Sequence, residues 1–113
     1  MSGETNRLIS LIKEVRDEPH PMYYDLAISA GEQVSSALVS TAFQNHGLKA
    51  LPMLAFQAGI ITSDDFSSAR IEAINTSKIK KAFDDYDVVV IAGFQGNTKS
   101  GRMTTLGLSL IHI

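Results

Sequence analysis

Three places in this sequence carry residue types that can do chemistry. Glu32 follows Gly31 at the start of a helical pattern that runs to His46. An acid in the first turn of a helix complements the helix dipole, and the same carboxylate at a pocket can receive a substrate ammonium group. Thr5, with Gly3 and Asn6 beside it, lies where another helical pattern begins. A hydroxyl and free backbone N–H groups at a helix start make either a simple N-cap or a seat for an anion. Gly93 and Phe94 follow the apolar run Val88-Val89-Val90-Ile91-Ala92 and precede Gln95-Gly96. Glycine at the carboxyl end of a strand makes an ordinary turn or lets a ligand approach the backbone closely. Residue type and spacing leave both readings open at each place.

Other polar groups point away from chemistry. His20, His46 and His112 are too scattered for a metal set, and the pairs Asp64-Asp65 and Asp84-Asp85 lack an EF-hand spacing. No phosphate-binding G-x-x-x-x-G-K-[ST], G-x-G-x-x-G or G-x-S-x-G motif occurs.

The elements that must position these residues can be read from periodicity. Leu8, Ile9, Leu11, Ile12 and Val15 recur at helical spacing, with Thr5 or Asn6 as the expected cap, and Asp17 to Pro21 breaks the pattern. Tyr23 to Ile28 reads as a further helical segment and Ser29-Ala30-Gly31 as a turn. In Glu32 to His46, Val34, Ala37, Leu38, Thr41, Ala42 and Phe43 share one face, and Gly47 closes the helix. Leu48 to Phe56 predicts a strand that Pro52 ends or pushes to an edge. Short strands are expected near Ala58 to Thr62 and Arg70 to Ile74, then a helix capped by Thr76 that runs to Phe83, with Ile79, Ala82 and Phe83 inward. The unbroken, mostly β-branched run before Gly93 predicts a central strand buried on both faces. Alternation of strand and helix gives an α/β layer fold.

With 113 residues the chain is sized for one small domain. A net charge of -2 and no dense cluster of Lys and Arg argue against nucleic acid as a partner. The absence of cysteine excludes a disulfide framework and a thiolate zinc site, and fits a cytoplasmic location. No apolar run reaches membrane-spanning length, so no membrane partner is expected.

Taken together, SGETNRL (2–8), SAGEQV (29–34), QAGI (57–60), ARI (69–71), VIAGFQG (90–96) and TTLG (104–107) resemble the aspartate kinases of the amino-acid-kinase superfamily, in order and spacing, over residues 1–107. The resemblance implies a three-layer α/β/α sandwich with a mainly parallel sheet. It implies transfer of the ATP γ-phosphoryl group to the side-chain carboxylate of L-aspartate, with Mg2+, opening lysine, threonine and methionine biosynthesis in a homo-oligomeric parent. By position, Glu32 is similar to the acid that holds the substrate amino group. Thr5, with Gly3 and Asn6, corresponds to the loop near substrate and transferred phosphate, and Phe94 with Gly93 to the wall of the aspartate pocket.

The chain departs from that family at both ends. The family's Lys-Phe-Gly-Gly-Thr-Ser type loop has no counterpart, and where the family continues Arg-Gly-Gly-Ser-Asp after Thr-Thr-Leu-Gly, this chain has Leu108-Ser109-Leu110-Ile111-His112-Ile113. LSLIHI matches one reading frame of the transposon end used in sequencing-library preparation. Residues 1–107 are therefore expected to be part of a kinase catalytic domain, inactive alone, and 108–113 a non-native tail. The alternative is a short amino-acid-binding or interaction protein of the same fold without catalysis. Glutamate, acetylglutamate and uridylate kinases resemble the chain less.

Overall fold

The structure, a computed structural model, describes residues 2–106, with the backbone only at Ser2. The expected tail at 108–113 lies outside the described residues. Eleven elements follow one another: α1 (Ser2–Val15), α2 (Pro21–Ile28), α3 (Ala30–Asn45), β1 (Ala50–Met53), α4 (Ala55–Ala58), β2 (Ile60–Thr62), β3 (Ile71–Ile74), α5 (Ser77–Ala82), β4 (Val88–Ile91), β5 (Gln95–Asn97) and β6 (Met103–Thr105).

The strands form two sheets. β1 and β4 pair in parallel, Ala50 opposite Val88 through Met53 opposite Ile91. The second sheet has the order β3-β2-β5-β6, with β2 parallel to β5 and the outer pairs antiparallel. The α/β class is as expected, and the described ladders divide evenly between parallel and antiparallel. Two stretches run side by side through both sheets: β1-α4-β2, and β4-corner-β5. The Ala92 amide donates to the Met53 carbonyl at 3.0 Å, carrying the first ladder up to the corner.

Several boundaries differ from the sequence reading, each for a local reason. Thr5 and Asn6 do not cap α1; the helix already begins at Ser2, so both lie within it. Ser29 follows α2 and precedes α3 directly, and Ala30 and Gly31 are helical rather than a turn. Pro21 sits in the first turn of α2, where no donor is lost, and the exposed His20 Nδ1 accepts from the Met22 amide at 3.1 Å as a cap. Pro52 lies inside β1, which among the described residues pairs on one edge only, in keeping with its missing N–H. Ala55 and Phe56 belong to α4 rather than to that strand, and Gly59 ends α4 at a left-handed φ of 83°.

The run Val88–Ile91 is not buried on both faces. It pairs only with β1 among the described residues; Val88 to Val90 are half-buried and Ile91 is 38% exposed. α3 packs against β1 and β4. Ser36 is buried, whereas Val34, Ala37, Leu38, Thr41 and Ala42 are exposed, Ala37 and Thr41 along a groove beside Ala50 and Pro52. In α5, Ala82 is buried and Ile79 half-buried, but Phe83, expected inward, is 55% exposed. The buried apolar residues are small for the most part: Ala55, Ala58, Ala69, Ala92, with Ile28 and Met53.

Candidate functional site

α1, the start of α3 and the corner after β4 meet through two close approaches. At Gly31, a Cβ would lie 3.5 Å from Glu4 Cγ, 3.7 Å from Leu8 Cδ1 and 3.9 Å from Thr5 Oγ1. These are ordinary contact distances, so α1 lies against the start of α3 here, with Thr5 next to the residue that precedes Glu32. Glu32 is in the first turn of α3, half-buried, at the positive end of the helix dipole.

The second approach runs through Gln95, whose side chain is buried to 1% exposure. Its Oε1 accepts from the Ala55 amide at 3.1 Å, supplying an acceptor at the start of α4. Its Nε2 donates to the Ser29 carbonyl at 3.3 Å, immediately before α3. A buried amide with both ends bonded fixes three backbone segments at once. The neighbouring Phe94 is thereby tied to the helix start that carries Glu32.

Phe94 itself has φ 65°, in the left-handed region that a bulky side chain rarely enters. Its carbonyl accepts from the Leu106 amide at 2.8 Å, which holds the corner in place. Non-glycine residues kept in such a conformation by their surroundings concentrate at functional sites. Gly93 beside it is exposed, and a Cβ there would meet nothing within 4 Å.

The charges at this place are uneven. Glu4 is paired with Arg7 through two hydrogen bonds, one from Arg7 Nε at 3.1 Å. The hydrogen bond from the guanidinium holds the Glu4 carboxyl below its ordinary value and raises Arg7. Glu32 makes no hydrogen bond or ion pair among the described residues. One carboxylate near the α1–α3 contact is thus compensated, and the other has no partner among the described residues.

Thr5, Glu32 and Phe94 are accordingly gathered around one helix start. Gly3 and Asn6 sit in the same α1 segment, exposed, without a described contact to Glu32 or Phe94. The larger grooves lie elsewhere. One of about 640 Å³ opens between Ile12, Val15, His20 and Tyr23, and one of about 540 Å³ between Leu26, Phe56, Arg102 and Met103. Among the described residues no three His, Asp or Glu side chains converge as metal ligands.

Two residues at this place had no role in the sequence reading. Gln95 lay inside a recognised motif but was not singled out. Asp25 is fully buried, and its carboxyl accepts from the Ser67 amide at 2.7 Å, the Thr105 amide at 2.9 Å and the Thr105 hydroxyl at 2.9 Å. An acid within the apolar run Tyr23 to Ile28 was the available signal.

The chain is α/β, with Glu32 in the first turn of α3 and Phe94 left-handed after the parallel strand β4. Residues 2–109 match the model of the amino acid kinase family, and the chain belongs to that family. Curated relatives narrow the likeness. It is 39% identical over 107 residues to an aspartokinase of Geobacillus stearothermophilus and 44% identical over 107 residues to an aspartate kinase of Pseudomonas putida. Each alignment covers 95% of this chain and 26% of the relative, so the chain spans about a quarter of their length. The solved structure of Escherichia coli aspartokinase III in complex with aspartate and ADP superimposes with a TM-score of 0.71 at 22% identity, over 96% of this chain and 26% of that one. The same enzyme with lysine and aspartate gives 0.67 over 95% of this chain and 26% of that one. These two establish the shared fold.

Proposed function

We propose that this chain supplies the amino-acid-substrate side of an aspartate kinase, which moves the γ-phosphoryl group of ATP to the side-chain carboxylate of L-aspartate and yields 4-phospho-L-aspartate. The observation that carries this reading is the uncompensated Glu32 at the start of α3, with Thr5 against that helix start and Phe94 tied to it through Gln95. Relatives named as aspartate kinases over 95% of the chain support the substrate class.

Each residue has a distinct task in this reading. Glu32 receives the substrate ammonium group. The Phe94 corner, with open space at Gly93, forms the wall beside the substrate. Thr5 lies on the side of the transferred group. The substrate carboxylate is ionised at neutral pH, so this chemistry needs positioning and charge neutralisation rather than a general base. ATP with Mg2+ supplies the phosphoryl group and the cations that offset its charge. The 113-residue chain is expected to bind L-aspartate without forming acyl phosphate. We further propose a cytoplasmic, homo-oligomeric enzyme, without nucleic-acid or membrane partners, at the head of lysine, threonine and methionine synthesis.

Titration of the 15N-labelled chain with L-aspartate tests the reading. L-Aspartate should shift the amides of Glu32, Thr5 and Phe94, D-aspartate should shift them far less, and Glu32→Gln should abolish the response while leaving the fold intact. Equal shifts from both enantiomers, or an unaltered response in E32Q, would remove the assignment.

A further inference from the structure

Asp25 stands apart from the residues discussed so far as substrate contacts. It is fully buried on α2, and among the described residues no cationic side chain bonds to its carboxyl. A buried carboxyl without a cation is costly unless hydrogen bonds satisfy it. Here three donors do so, and all come from chain far away in sequence. Oδ2 receives the Ser67 and Thr105 amides, and Oδ1 receives the Thr105 hydroxyl.

What these donors hold is informative. Ser67 has φ 70°, the second non-glycine residue in the left-handed region, so the carboxyl fixes a strained turn. Thr105 is the last residue of β6, and its own carbonyl accepts from the Ala69 amide at 3.0 Å, closing the turn onto the strand. The next residue, Leu106, donates its amide to the Phe94 carbonyl at 2.8 Å. Asp25 therefore fixes Thr105, Thr105 sets the direction of the Leu106 amide, and that amide fixes the left-handed Phe94 corner. The distance from Asp25 to the corner is bridged by three covalently continuous or hydrogen-bonded steps with no mobile side chain among them.

We propose that Asp25 is a positioning residue for the Phe94 wall of the amino-acid site, acting through Thr105 and Leu106 rather than by touching substrate. The inference rests on the reading of Glu32, Thr5 and Phe94 as that site. It assigns α2 a task beyond packing: it carries the one acid that sets the geometry of the corner.

The test compares Asp25→Ala, Asp25→Asn and unsubstituted 113-residue chains by amide hydrogen exchange and L-aspartate titration. Asn keeps an oxygen for the two amides and offers an N–H₂ to the Thr105 hydroxyl, which can turn to accept, so it should preserve the arrangement. Ala leaves three donors without their partner, the Ser67 and Thr105 amides and the Thr105 hydroxyl. Exchange at Ser67, Thr105 and Leu106 should then rise about tenfold or more, while Val89 and Val90 in β4 change little. L-Aspartate affinity should fall about tenfold in Asp25→Ala and be restored in Asp25→Asn. Uniform acceleration at β4 and β6 alike would mean that Asp25 serves global stability only, and would overturn the proposal. So would unchanged affinity in Asp25→Ala despite faster exchange at Leu106. If Asp25→Ala does not fold, a folded Asp25→Asn that binds L-aspartate like the unsubstituted chain supports the inference, and one that has lost binding with β4 exchange unaltered overturns the hydrogen-bond account. Failure of the unsubstituted chain to bind L-aspartate would instead overturn the reading of the site, and the exchange pattern would still decide whether Asp25 holds the corner.

Discussion

Gly93 and Gly96 stand three residues apart in one motif, and the structure gives them opposite tolerances. Replacing Gly96 by Ala would put a Cβ 2.2 Å from Thr62 Cγ2 and 3.2 Å from Thr104 Oγ1. Thr62 cannot turn aside cheaply. It is 2% exposed, and its hydroxyl bonds Thr104 Oγ1 at 2.7 Å and the Ser63 carbonyl at 2.9 Å. Either β2 and β5 separate or the buried hydroxyl pair breaks. Overpacking a tight site costs about 1–3 kcal/mol, and orphaning a buried hydroxyl costs about the same. We therefore expect Gly96→Ala to lose about 2 kcal/mol, which for a chain of this size lowers Tm by about 10 °C. Gly93→Ala meets nothing within 4 Å and should stay within about 0.5 kcal/mol of the unsubstituted protein. If Gly93 is where substrate nears the backbone, Gly93→Ala should nonetheless weaken L-aspartate binding. Urea unfolding of both variants, followed by circular dichroism, provides the comparison. Equal stabilities for the two would refute the packing argument, and so would a Gly96→Ala protein as stable as the parent.

The remaining predictions concern surface and charge. Val34 and Leu38 are 48% and 58% exposed on the outward side of α3, and the far edge of β4 is unpaired among the described residues, so the chain should self-associate. Leu38→Glu should raise the monomer fraction in sedimentation without lowering stability, and an unchanged distribution would exclude that face. Glu4 should titrate below its ordinary 4.5 because Arg7 bonds it, and Arg7→Ala should move its NMR midpoint back toward that value. A depressed carboxyl contributes stability present above its unfolded value and lost as pH falls through the folded one. The pair is exposed enough that this contribution is small. An Arg7→Ala chain with an identical Glu4 midpoint would contradict the pairing.

How far the sequence disclosed this arrangement depends on the range of each interaction. Val88–Ile91 was legible as a strand because β-branched runs suit extended backbone, and Pro52 as a mark of restricted pairing because it lacks a donor. Burial of that strand was not legible, since it depends on neighbours that pair only one of its edges among the described residues. The period of α3 gave a helix, but not which side faces the sheet. Ser36 packs inward while Leu38 faces out, against the usual preference. Thr5 was rightly placed near a helix start but not within the helix. Gln95 and Asp25 bond partners 40 to 80 residues away, which no local pattern displays. Glu32, Thr5 and Phe94 stand out by motif, and what the structure adds is the Gln95 amide, which ties the segment after Phe94 to Ser29 just before α3.

The span of the Asp25 bonds also orders events in time. Helices α1 to α3 form from neighbours in sequence, but Asp25 waits for Thr105, 80 residues later. At ordinary rates of synthesis those residues take about 4–16 s to emerge. For the first 42 residues of that interval Asp25 has none of its partners, and until Thr105 emerges it has only the Ser67 amide, so it cannot settle into its final burial. Loop closure of this length is slow compared with helix formation. The Phe94 corner is therefore among the last parts of the chain to take shape, and a ribosome paused before Thr105 would hold a nascent chain with α1 to α3 formed and that corner unmade.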